Sequence, residues 1–116
     1  MNEQFAELIN KAYEAFNKRN IDEVLLLMSK DVHWPNGWEG GYVNGHEEVR
    51  DYWTRQWKEL NPTVIPVSID QKSNNEVEVI VEQTVKDLQG NLLFHGMVKH
   101  VYTFRNNKIQ SMEIVK

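Results

Sequence analysis

Leu92-Leu93-Phe94-His95-Gly96-Met97-Val98-Lys99-His100-Val101-Tyr102-Thr103-Phe104-Arg105 reads as one unbroken β-strand. Strands average about 5–6 residues, so a run this long has to bend around whatever packs on it, and Gly96 is the natural bend or bulge point. Side chains alternate across a strand. One face therefore collects Phe94, Gly96, Val98, His100, Tyr102 and Phe104, and the other Leu93, His95, Met97, Lys99, Val101 and Thr103. The first set is read as the inner face.

The period of two begins after Pro62 and continues to the carboxy terminus, with Val77, Val79 and Val81 alternating against Glu76, Glu78 and Glu82. Turn chemistry falls at Ser73-Asn74-Asn75, at Asp87-Leu88-Gln89-Gly90-Asn91 and at Asn106-Asn107. Connections this short join only antiparallel neighbours. The spacing predicts four such strands, whose outer face combines Glu78, Ile80, Glu82, Lys99, Val101 and Thr103 with Met112 and Ile114 of the last strand. Mixed apolar and charged strand faces suit a solvated or modestly adhesive surface.

Before Pro62 the period is helical. Phe5, Leu8, Ile9, Ala12, Tyr13 and Phe16 share one stripe, and Glu3, Glu7, Lys11, Glu14 and Lys18 take the other side, predicting an amphipathic helix of about four turns. Asn20 followed by Glu23 reads as a capping box that opens a second helix, with Val24, Leu25, Leu27 and Met28 as its buried side and an end near Ser29-Lys30. Trp34-Pro35-Asn36-Gly37-Trp38 and Gly40-Gly41 mix turn residues with large aromatics, predicting a short strand and then a loop. Asn44 is positioned to cap a third helix with apolar face Val49, Tyr52, Trp53, Trp57 and Leu60, stopped by Asn61-Pro62.

The chain has 116 residues, 41% of them apolar and 26% charged, which is the size and composition of a single globular domain spanning 1–116. Thirteen basic residues stand against seventeen acidic ones, and the basic ones are scattered, so neither nucleic acid nor an anionic membrane is an expected partner. The chain has no cysteine, which excludes disulfides, a thiolate nucleophile and Cys-ligated zinc. Met1-Asn2-Glu3-Gln4-Phe5 does not open a secretion signal, and no run approaches the ~18 apolar residues of a membrane span. A cytoplasmic location is the expectation.

Three stretches together resemble the nuclear-transport-factor-2-like superfamily, including its ketosteroid-isomerase and SnoaL-like polyketide cyclase branches. They are Asn20-Ile21-Asp22 through Met28 into Asp31-Val32-His33-Trp34, then Gly45-His46-Glu47-Glu48-Val49-Arg50-Asp51-Tyr52-Trp53, and finally Tyr102-Thr103-Phe104 with Lys108-Ile109. The resemblance implies an α+β, cystatin-like cone: three amino-terminal helices packed on a strongly curved antiparallel sheet that encloses an apolar pocket. It also implies homodimerisation through the outer face of the sheet. The fold hosts isomerases, cyclases, dehydratases and non-catalytic modules, so fold alone does not select a function.

Carried over residue by residue, the isomerase's proton-abstracting carboxylate falls at Asn36, and an amide does not take up a proton at neutral pH. Its protonated acid falls at His100, which can still donate a hydrogen bond. The oxyanion-hole tyrosine falls at Ala12, one residue from Tyr13, and one step along a helix turns a side chain by about 100°. A further pocket tyrosine falls at Trp53.

The residues singled out for chemistry are therefore His100 as polar centre, with Tyr13 and Asn36 as helpers. Burial among Val98, Tyr102 and Phe104 would keep the imidazole neutral. The competing reading is a core histidine satisfied by Tyr13 or a backbone carbonyl. Trp34, Trp38, Tyr42, Trp53 and Trp57 complete a candidate wall for an apolar ligand. For Trp53 and Trp57 plain core filling is the rival, whereas two indoles at a loop, Trp34 and Trp38, are harder to explain as packing. The histidines His33, His46, His95 and His100 show no ligand spacing, so no metal is expected. No phosphate loop or nucleophile elbow is present, and no cofactor is called for. Two readings follow: a pocket for a small apolar molecule with acid–base capacity for isomerisation, cyclisation or dehydration, or a module that only binds a ligand or dimerises.

Overall fold

The structure, a computed structural model, describes residues 3–115. The side chain of Glu3 and the Met1-Asn2 portion of the amino-terminal reading lie outside what is described. Helices α1 (Glu3–Asn17), α2 (Ile21–Leu26) and α3 (Gly45–Trp57) pack on strands β1 (Met28–Pro35), β2 (Tyr42–Asn44), β3 (Leu60–Gln71), β4 (Glu76–Asp87), β5 (Leu92–Arg105) and β6 (Lys108–Val115). The six strands form one curved, unclosed sheet in the order β2-β1-β6-β5-β4-β3. It is the expected α+β cone. Its ladders are antiparallel except where β1 runs parallel to β6.

The inner face of the sheet is set by β5. Val98, His100, Tyr102 and Phe104 are all buried, and their partners on β4, Val81, Val79 and Val77, are fully enclosed. On the other side His100 pairs with Ile114 and Tyr102 with Met112. Residues paired directly across a ladder share a face. Met112 and Ile114 therefore point inward, correcting their placement on the outer face. Counting outward from the Asn106-Asn107 turn gives the wrong phase because the β5–β6 register shifts between Thr103 and Phe104. Asn106 and Asn107 both have positive φ, 53° and 64°, as a tight two-residue hairpin demands.

Helix α1 lays Phe5, Ile9, Ala12 and Tyr13 on this face. Asn17, at its last turn, brackets the backbone of β3, donating to the Val64 carbonyl at 2.7 Å and accepting from the Val64 N–H at 3.0 Å. Arg19 leaves the helix with φ 65° and places its guanidinium over the Trp57 ring at 5.0 Å. The same group donates to the carbonyls of Phe16 and Pro62. One cation thus ties the ends of α1 and α3 to the start of β3.

Two helices are shorter than their patterns suggest. The Asn20–Glu23 capping box forms as read, with Asn20 Oδ1 accepting from the Glu23 N–H at 3.2 Å and Nδ2 donating to Glu23 Oε2 at 3.0 Å. Yet α2 ends at Leu26, because the Leu27 carbonyl accepts from the Ile109 N–H and Met28 pairs with Ile109 as the first residue of β1. Met28 is buried in the sheet, not on the helix. Helix α3 stops at Trp57, before Asn61-Pro62. Leu60 already pairs with Asp87, and Pro62 and Pro66 sit within β3. They are tolerated there because β3 is an edge strand and its outward N–H groups have no ladder to join. Asn44 precedes α3 without a side-chain cap, since its Oδ1 is occupied by His33 Nδ1 at 2.7 Å.

The capping box yields a clean test of helix packing. Asn20→Ala removes both cap hydrogen bonds of α2 at an exposed position and is expected to cost about 1 kcal/mol, read as a shifted midpoint in urea with unchanged slope.

A neutral cavity with a buried relay

His100 reaches the interior because β5 alternates, and Tyr13 reaches it from the inner stripe of α1. Tyr13 Oη and His100 Nδ1 are 2.7 Å apart. Tyr102, two residues along β5 and on the same face, donates to Tyr13 Oη, also at 2.7 Å. All three side chains are buried. Since Tyr13 accepts from Tyr102, its own proton goes to His100 Nδ1. A neutral imidazole with an acceptor Nδ1 carries its hydrogen on Nε2. That Nε2–H has no hydrogen-bond partner among the described residues.

Burial sets the protonation of the whole chain. Desolvation lowers the His100 pKa from 6.5 to about 4. It also raises the Tyr13 phenol well above 10, with the neighbouring Tyr102 adding to the effect, and pushes Tyr102 upward too. Every member therefore stays neutral across the physiological range. Such a relay donates a hydrogen bond readily and gives up a proton reluctantly.

The relay opens on a cavity of about 670 Å³, within the size range of small-molecule sites. Trp34, Trp38, Trp53 and Val98 line it, as do the inward-pointing Met112 and Ile114. Trp34 meets Trp53 edge-on at 5.7 Å between centroids. None of the lining residues is Asp, Glu, Lys or Arg. Toward the ends of β4 and β5 the wall is formed by Leu93, Phe94 and Met97, all largely exposed.

Four residues expected at the site do not line it. Asn36 is buried, but its amide is used within its own loop: Oδ1 accepts from the N–H groups of Trp38 (3.1 Å) and Glu39 (2.7 Å), and Nδ2 donates to Glu39 Oε1. It shapes the loop that carries Trp38. Tyr42 lies outside, 48% exposed, stacked on His33 at 4.2 Å and donating to Glu113 Oε2. Trp57 packs between Phe16, Trp53 and Arg19 as core, and its Nε1 is buried with no partner among the described residues. Phe104 stacks on Phe5 at 4.3 Å, filling the closed end of the core. Counting aromatics in a segment cannot say which side of a loop or helix each ring takes.

Tyr52 and Gln56 line the cavity without having been singled out as polar site residues. Their i, i+4 spacing beside Trp53 was the available signal. The loop above them is anchored by Arg55, whose Nη1 donates to both Glu39 oxygens at 2.7 and 2.6 Å. The remaining histidines are spent elsewhere, with His46 Nε2 bonded to the Met28 carbonyl and His95 to Glu82. No group of three metal-ligating side chains occurs among the described residues, and none of their helices is long and apolar enough to cross a membrane.

The SnoaL-like domain model matches residues 9–112 of the chain. Among solved structures, an NTF2-like protein of unknown function from Burkholderia pseudomallei superposes with a TM-score of 0.84 at 22% identity, covering 99% of this chain and 91% of that one. TerC, co-crystallised with polyporic acid, gives 0.83 at 25% identity, covering 97% and 90%. A Mycobacterium tuberculosis protein in complex with estradiol-17β-hemisuccinate gives 0.82 at 16% identity, covering 96% and 92%. No curated protein matches the chain in sequence.

The buried imidazole makes stability depend on pH. Its folded pKa of about 4 lies below the ordinary 6.5, so the unfolded chain binds the proton first as pH falls. Stability is complete above 6.5 and falls by up to about 3 kcal/mol as the pH drops to about 4. His100→Asn keeps an acceptor for Tyr13 without titrating. It is expected to flatten that part of the profile in urea melts taken at several pH values.

Proposed function

The chain belongs to the SnoaL-like domain family, and from that premise we propose that it holds a small apolar molecule in the cone and grips one of its oxygens with the Nε2–H of His100. The observation that carries this reading is the Tyr102–Tyr13–His100 relay, which fixes the imidazole tautomer and leaves one unspent donor facing an uncharged, indole-walled cavity. Polyporic acid and estradiol-17β-hemisuccinate, bound by proteins of like fold, support a small apolar occupant. A donor preorganised in a dry site can also stabilise charge developing on a carbonyl oxygen. In that capacity His100 and Tyr13 would assist isomerisation, cyclisation or dehydration next to a carbonyl. The absence of a lining carboxylate and the inward use of Asn36 within its loop favour binding and polarisation over proton abstraction. Pairing of two copies through the outer sheet face belongs to the same reading. Ile80 and Val101 lie there as the cross-strand partners of Lys99 and Glu78, which pair with each other. A sedimentation run showing only monomer at high concentration would remove the dimer.

Trp34, Trp38 and Trp53 line the cavity and report on its occupancy. Titration with steroid enones and aromatic polyketides is expected to give saturable quenching in the micromolar range, weakened about tenfold in His100→Phe, the typical cost of leaving a buried acceptor unpaired. A flat response, or equal affinity in the variant, overturns the reading. Any turnover that needs neutral His100 rises through about pH 4 and is level above it.

A further inference from the structure

Tyr52 is a buried ionisable group that the relay leaves unused. It is only 4% exposed and lines the same cavity from α3, under the loop that carries Trp38. Gln56 Nε2 donates to its oxygen at 3.3 Å. Burial raises the phenol above its ordinary value of 10 and keeps it protonated. With Gln56 donating to its oxygen, the phenol keeps its O–H proton, and no acceptor for that proton is found among the described residues. A hydroxyl in that condition is a donor waiting for an acceptor, because buried polar groups are otherwise almost always satisfied.

We propose that Tyr52, steadied by Gln56, is a second polar anchor, and that the cavity selects apolar ring systems carrying two separate oxygen acceptors. The inference rests on the reading in which His100 grips the first oxygen. The two anchors stand on different walls, one between α1 and β5 and the other between α3 and the loop after β1. A ligand with a single oxygen satisfies one donor and leaves the other buried without a partner. Sites built to hydrogen-bond a group discriminate most strongly against analogues lacking it. The uncharged lining also favours ketone, quinone or phenol oxygens over a carboxylate.

Matched ligands separate the possibilities in the fluorescence titration: 9,10-anthraquinone against anthrone, and androst-4-ene-3,17-dione against androst-4-en-3-one. In at least one pair the two-oxygen member is expected to bind the wild type roughly tenfold tighter. Tyr52→Phe should erase that preference, and Gln56→Leu should reduce it part way. Unchanged near-ultraviolet circular dichroism verifies the fold, and Gln56→Leu carries the test if Tyr52→Phe fails to fold. A preference absent from both pairs, or one that survives Tyr52→Phe, overturns the second anchor. If one-oxygen ligands still bind and weaken in His100→Phe, only this inference falls. If no member of either pair binds the wild type, the His100 reading falls with it.

Discussion

Three polar side chains buried in one apolar layer have to satisfy one another, and much of this molecule follows from that requirement. Tyr13, Tyr102 and His100 come from a helix and a strand far apart in sequence, and no water-exposed partner is offered to any of them. A phenol buried without a partner would cost about 1–3 kcal/mol, so the rotation of α1 on the sheet and the phase of β5 constrain each other. The same bonds settle which imidazole nitrogen carries the hydrogen. Structural and chemical roles are therefore inseparable at these residues.

The neutral character of the site has a single physical origin. Desolvation acts on acids and bases in opposite directions, raising the phenols and lowering the imidazole, so each moves away from its charged form. Without a lining carboxylate or cation, nothing in the cavity restores charge. The chemistry left to such a site is recognition and polarisation of neutral oxygens, strengthened by the low dielectric of the indole walls.

The fold and the Val98-to-Phe104 part of the inner face of β5 were readable in sequence because both rest on local periodicity, whereas Leu93 and Met97, read as outward, line the cavity. Alternation placed His100 and Tyr102 together, helical spacing placed Tyr13 opposite them, and turn residues placed the hairpins. What escaped was whatever depends on register or on the path of a loop. Met112 and Ile114 changed faces because of an irregularity between Thr103 and Phe104, which no period-two count detects. Asn36 and Tyr42 lie in a segment whose course is set by Gly40 and Gly41 at positive φ and by the Arg55–Glu39 contact, a long-range feature. Tyr52 was taken for a plain apolar-face residue, since a helical stripe records the body of a side chain and not where its hydroxyl ends.

The two outermost strands bear on colloidal behaviour. An open sheet normally exposes a ladder of unpaired amides that can recruit a strand from another molecule. Here one border, β2, is three residues long, and the other, β3, carries Pro62 and Pro66, which lack the N–H such growth requires. Asn17 further occupies the Val64 peptide groups on that strand. Fibre-like extension along the sheet is thereby disfavoured at both rims.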